Sequence, residues 1–120
     1  MRYKLIICCL LVFHQVIAQN DEKKIIDLIS EANYFIENKN LDKALEKIEN
    51  ALNILPNVLG MELKGNVNYT AGRIYKLRRN DTYAIRYYLR AADIYGKIQD
   101  SMSFSLTNYE IANVYFSLEA

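Results

Sequence analysis

Cys8, Cys9 and His14 are the only thiols and the only imidazole in this 120-residue chain. A Cys–His pair can form a nucleophile, and Cys/His sets hold zinc. All three lie in the opening segment MRYKLIICCLLVFHQVIAQN, whose pattern points elsewhere. Arg2 and Lys4 form a positive start, and Leu5 to Phe13 is an unbroken apolar run. Val16 and Ala18 put small residues at the two positions a signal peptidase reads. The expectation is a secretory signal peptide over residues 1–18, cleaved after Ala18. The apolar run is about half the ~20 residues that span a bilayer, so a retained anchor is the weaker reading. Cys8 and Cys9 follow Leu5, Ile6 and Ile7, with no small residue where a lipoprotein would be cut.

Cleavage would remove both cysteines, the histidine and two of the 15 basic residues, leaving 13 against 14 acidic ones. The expected mature chain is thus near neutral at −1. It has no Cys, His or Trp. It forms no disulfide despite export, so packing alone must stabilise it. It has no zinc site of the usual kind and no Ser-His or Cys-His pair. Its close carboxylates, Asp21/Glu22 and Glu46/Glu49, stand beside Lys23, Lys24, Lys43 and Lys47. They read as solvated helix pairs rather than an acid–base couple. Gly60 and Gly65 are isolated, so there is no phosphate-cradling loop. The expectation is a protein that is not an enzyme and takes no cofactor or metal.

What remains is the chemistry of recognition. Residues 63–97 carry eight basic and two acidic groups, a basic band formed by Arg73, Lys76, Arg78, Arg79, Arg86 and Arg90 among others. Residues 19–62 carry five basic and nine acidic groups, and residues 98–120 three acidic ones. Such a band can attract an acidic partner or neutralise its own neighbours, and the second is favoured. Nucleic acid as a partner does not fit an exported chain of this net charge. Eight of the ten tyrosines fall at or after Tyr69.

Helices must position these residues. Ile25, Leu28, Ile29, Ala32, Phe35 and Ile36 recur at helical steps, as do Leu41, Ala44, Leu45, Ile48, Ala51, Leu52 and Leu55. Asn40 stands before the second run as an N-cap, and Pro56 stops it. Further helices are expected over about 58–78, over 81–97 with Asn80 or Asp81 as cap, and from Asp100 or Ser101 onward. The expected fold is all-α, with five helices whose short loops make them antiparallel neighbours.

The chain also repeats itself. Ala32, Gly72 and Ala112 stand at intervals of 40, as do Phe35, Tyr75 and Tyr115. Asn40/Asn80, Ala44/Ala84, Leu45/Ile85, Ile48/Tyr88 and Ala51/Ala91 keep the same step. Small residues recur where two helices would cross closely. A small residue, an aromatic three on, then Ala, a bulky residue and Ala again resembles the tetratricopeptide repeat (TPR) pattern. The copies span about 25–58 and 65–98, with a partial one over 105–120. The pattern departs at Leu28, Asn68 and Asn108, where a Trp is common, at Glu31, and at Gly96, where a Pro is usual.

The resemblance implies an α-solenoid of about two and a half repeats that binds a protein or peptide on its concave face. It implies a groove lined by Asn33 and Ile36 from the first helix, with Ile29 beside them. Tyr69, Arg73 and Lys76 would follow from the third helix, with Asn66, and Tyr109, Asn113 and Phe116 from the fifth. Asn33, Arg73 and Asn113 are one equivalent position, where an amide can meet a peptide backbone as donor and acceptor. Ile29, Leu106 and Glu110 stand where a carboxylate clamp would need its other residues, so a clamp is not expected. Repeat arrays need a polar cap, and Ile111, Ala112, Val114, Tyr115, Phe116 and Leu118 would lack a covering helix. Two expectations follow: the chain is part of a longer protein, or its last helix self-associates. The layout is similar to exported repeat regions of bacterial, Bacteroidetes-type sensors and regulators. Periplasm or medium is the expected location, with no membrane span in the mature chain.

Overall fold

One local turn, used three times, sets most of the architecture. The computed structural model describes residues 2–119. Among them are five α-helices: α1 (Arg2–Glu37), α2 (Leu41–Ile54), α3 (Met61–Leu77), α4 (Asp81–Lys97) and α5 (Ser101–Glu119). No strand occurs among the described residues. Between α1 and α2, α3 and α4, and α4 and α5, a single residue swings to positive φ: Lys39 at 58°, Arg79 at 60° and Gln99 at 59°. At each turn two amides reach back to the preceding helix, as when Lys39 N–H donates to the Ile36 carbonyl and Asn40 N–H to that of Phe35. The same pair recurs at Arg79/Asn80 and at Gln99/Asp100. This is the Schellman stop, and it satisfies carbonyls that the helix end would otherwise orphan. The next residue caps the following helix. The side chains of Asn40, Asn80 and Asp100 accept from the amides of Lys43, Tyr83 and Ser103 at 3.2, 3.3 and 3.1 Å.

The α2–α3 connection is built differently. Pro56 lies in a 3-10 turn over Leu55–Asn57, and Val58 is extended at φ −103°, ψ 136° with its side chain wholly buried. The helix expected from about residue 58 therefore begins only at Met61. Repeat spacing of 40 is kept in two ways: by this turn after α2, and by an α4 that runs on to Lys97.

A second difference concerns the start. α1 runs unbroken from Arg2, so the expected signal segment and the first repeat helix are one helix of 36 residues. Residues 2–17 are exposed throughout, and burial begins at Ile25. Met1 of the expected signal segment and Ala120 of the expected third repeat lie outside the described residues.

Two apolar clusters hold the bundle. Ile25, Leu28, Ala32 and Ile36 of α1 meet Ala44, Ile48 and Ala51 of α2 and Val67, Ala71 and Ile74 of α3. Ala84, Tyr88 and Ala92 of α4 meet Ile111 and Val114 of α5, with Tyr69 and Tyr75 of α3 packed alongside. The α3–α4 seam is unusually close. A Cβ added at Gly72 would sit 2.6 Å from the Tyr88 ring, and one at Gly65 2.7 Å from the Tyr95 ring. The two glycines are seven residues apart on one helix and the two tyrosines seven apart on the other, so ring meets bare backbone twice in one heptad. In the first repeat the equivalent pair is Ala32 and Ile48, smaller against larger. Tyr88 is wholly buried, and its hydroxyl has no hydrogen-bond partner among the described residues.

Gly72→Ala is therefore expected to lower stability by about 1–2 kcal/mol, because overpacking outweighs the gain in helix propensity. Adding Tyr88→Ile should recover most of the loss, since it installs the first repeat's own pair. Tyr88→Phe alone should be neutral or stabilising by up to about 1 kcal/mol, as it deletes an unsatisfied buried hydroxyl. Urea unfolding followed by circular dichroism measures all three. Gly at Lys39, Arg79 or Gln99 should add a few tenths to about 1 kcal/mol each by relieving the left-handed backbone.

Candidate functional site

α1, α3 and α5 are joined by polar bridges. Arg73 Nη1 donates to Asn33 Oδ1 at 3.1 Å, across one 40-residue step. Lys76 Nζ forms an ion pair with Glu110 Oε2, tying α3 to α5. On the neighbouring helix, Arg78 Nη1 donates to Asp42 Oδ1 at 2.8 Å. Of the six residues named in the basic band, Arg73, Lys76 and Arg78 are thus engaged by adjacent helices, the favoured expectation for these three. The carboxylate partners come from the acidic segments on either side of it.

Between α3 and α5 lies a cleft of about 200 Å³, lined by Asn66, Tyr69, Tyr95, Ser103, Leu106 and Thr107. Its floor is ordered by the Tyr95 hydroxyl, which donates to Asn66 Oδ1 at 2.6 Å. Thr107 Oγ1 donates to the Ser103 carbonyl at 2.7 Å, so that hydroxyl is committed to its own helix. Burial raises the Tyr95 pKa above the usual tyrosine value, and the carboxylate of Asp100 adds to the shift. Burial, then Glu110, does the same to Tyr69 and Tyr88. These phenols stay protonated at neutral pH and are not bases, and of the three Tyr95 acts as a hydrogen-bond donor.

The eight residues expected in the groove fall into three situations. Tyr109 and Phe116 are freely presented, at 62% and 76% exposure. Asn33, Tyr69, Arg73, Lys76 and Asn113 are half-buried, three of them in the bridges just described and Tyr69 against the Tyr88 ring at 5.6 Å. Ile36 is not on this surface: it is 9% exposed and belongs to the core cluster of α1, α2 and α3. Its register explains this, since it lies four residues beyond Ala32 on the same buried stripe. Ile29 is half-buried against the same cluster.

Tyr95 and Glu110 were not legible as partners of this face. Tyr95 has Leu55 as its 40-step counterpart, so repeat matching hides it. The available signal was Gly65, a glycine inside a helix, which marks close approach of another side chain. Glu110 could not be paired with Lys76 without knowing how α3 and α5 cross.

α5 is seated on α4 by Thr107, Ile111 and Val114 and is capped by Asp100. Hydrogen bonds from Ser103 lower the Asp100 pKa. A lowered folded-state value means that this contribution is present above the unfolded pKa and is lost as pH falls through the folded one. Acid should therefore loosen α5 before the α1–α3 cluster, read as early hydrogen exchange of α5 amides below about pH 4. Asp100→Asn should keep the cap and abolish that pH step. For the α3–α5 bridge, Lys76→Met should cost about 1–2 kcal/mol by leaving Glu110 without its cation, and adding Glu110→Gln should restore part of it.

Comparison with family models, with curated proteins and with solved structures finds no match for this chain.

Proposed function

We propose that this protein is an exported, non-catalytic TPR-like α-solenoid that binds a protein or peptide segment along the face of α1, α3 and α5. In that reading it forms the sensory or interaction end of a larger signalling system. The observation that carries the reading is the cleft between α3 and α5 with exposed aromatic residues beside it. A small cleft with an ordered Asn66–Tyr95 floor sits beside Tyr69, and Tyr109 and Phe116 stand exposed on α5. Tyrosine offers large contact area at low entropic cost, and amides pair with an extended backbone. The 40-residue recurrence, with equivalent turns at Lys39 and Arg79 and equivalent caps at Asn40 and Asn80, supports the repeat assignment. Export is supported by the exposed apolar stretch at the start of α1; the helix as a whole is long and apolar enough to cross a membrane, a property that N-terminal signal sequences share.

A second reading rests on α5 itself. Tyr115, Phe116 and Leu118 are exposed on its last turns, and an assembly role would cover them with a second copy.

Affinity capture from the exported fraction of the source cells separates the two. Tyr109→Ala should reduce partner recovery by about tenfold while leaving the melting temperature unchanged, because the side chain is exposed. Tyr69 is a poorer probe, since it packs on Tyr88. If Tyr109→Ala changes nothing and Phe116→Glu converts an oligomer to monomer in sedimentation, the assembly reading replaces the groove.

A further inference from the structure

We propose a second recognition surface, on α4, that binds an acidic protein segment carrying two carboxylates about 6–7 Å apart. Tyr83 and Tyr87 of α4 both stack on Tyr75 of α3, with ring centroids 5.2 and 5.5 Å away. This fixes two tyrosine faces one helical turn apart. The Arg86 guanidinium lies over Tyr83 at 4.9 Å from the ring centroid, and that of Arg90 over Tyr87 at 5.3 Å. Both arginines are exposed, and neither has a carboxylate partner among the described residues. Of the other cations of this repeat, Lys76, Arg78 and Lys97 are ion-paired and Arg73 is bonded to Asn33, while Lys64 and Arg79 have neither a carboxylate partner nor an aromatic ring beneath them among the described residues.

A guanidinium held over an aromatic face uses its flat surface there and leaves its rim of N–H donors available to a carboxylate. Its rotamer is already restricted, so less entropy is lost when a carboxylate docks bidentately. The two forks are four residues apart, roughly 6 Å along the helix axis. Acidic side chains at i and i+4 of a helix match that spacing, and so do side chains two apart on a strand, at about 6.6 Å. Charge complementarity selects the occupant: residues 63–97 hold eight basic groups against two acidic ones, and α4 presents this unneutralised pair outward. The surface lies on α4, apart from the α1–α3–α5 face, so neither site depends on the other.

The test uses the purified protein and a fluorescein-labelled alanine/glutamine peptide with two glutamates four residues apart, read by anisotropy at about 0.1 M salt. The peptide is expected to bind, and Arg86→Gln/Arg90→Gln should weaken it by roughly tenfold or more. Arg86→Lys/Arg90→Lys keeps the charge and should still lose several-fold, because the planar fork is gone. Lys64→Gln/Arg79→Gln removes the same charge elsewhere and should lose less than about twofold. Moving the glutamates two residues apart on the helical peptide, onto different faces, should weaken binding, and Tyr109→Ala should leave it unchanged. The proposal is overturned by equal binding of glutamate and glutamine peptides, by Lys variants that match the wild type, or by an equal loss in Lys64→Gln/Arg79→Gln. Arginine-dependent binding to phosphatidylglycerol vesicles without binding to the peptide would also overturn it, assigning the patch to a membrane surface.

Discussion

The seating of two tyrosine rings of α4 on two bare glycines of α3 is the constraint on which the second half of the molecule depends. Gly72 lets the Tyr88 ring lie against the α3 backbone, and Gly65 does the same for Tyr95. Without a Cβ the helices approach closely, and the large rings then fill the space between α3, α4 and α5. Tyr88 is wholly buried and joins the cluster that seats Ile111 and Val114 of α5. Tyr95 crosses the same seam to reach Asn66 and shape the cleft floor. The crossing of α3 and α4 thus determines where α5 sits, and α5 supplies half of the candidate groove.

Electrostatics follows that packing rather than leading it. Once the helices are in register, Arg78 reaches Asp42 on one side and Lys76 reaches Glu110 on the other. The basic middle repeat is stitched to its acidic neighbours at both ends. Exposed pairs of this kind contribute little individually, while the partly buried Lys76–Glu110 pair is worth more. Their larger consequence is subtraction. They remove Lys76 and Arg78 from the pool of free cations, and Arg73 is held by Asn33. Of the cations that stay unpaired among the described residues, only Arg86 and Arg90 are held over tyrosine rings, and on α5 Tyr109 and Phe116 remain uncommitted.

The three Schellman turns give the bundle its regularity, though none uses glycine. Lys39, Arg79 and Gln99 take left-handed backbone at an intrinsic cost of about 1–2 kcal/mol each. The adjacent caps and the returned backbone hydrogen bonds offset it. Such turns leave three residues between helices, which forces antiparallel neighbours. Only the Pro56 connection escapes this rule, and it sends Val58 into the core instead.

By itself the sequence determined the helical class, the boundaries of α2, α4 and α5, the caps at Asn40 and Asn80, and the 40-residue recurrence of small and aromatic positions. These are local matters: periodicity, side chains that compete for backbone amides, and proline's missing donor. The start of α3 was misread because the apolar run continues through Val58, and burial of an extended residue looks the same as burial of a helical one. The continuity of α1 through the expected signal segment was not legible, because a cleavage pattern and a helix can share the same residues. Tertiary structure decided the rest. Ile36 shares the buried stripe of Ala32 and packs into the core where α1 meets α2 and α3, so it is lost to the groove. Arg73 and Lys76 are engaged and Arg86 and Arg90 are free, since a charge is neutralised by what lies across an interface. That distance is set by the closeness of two helices, and here by two missing Cβ atoms.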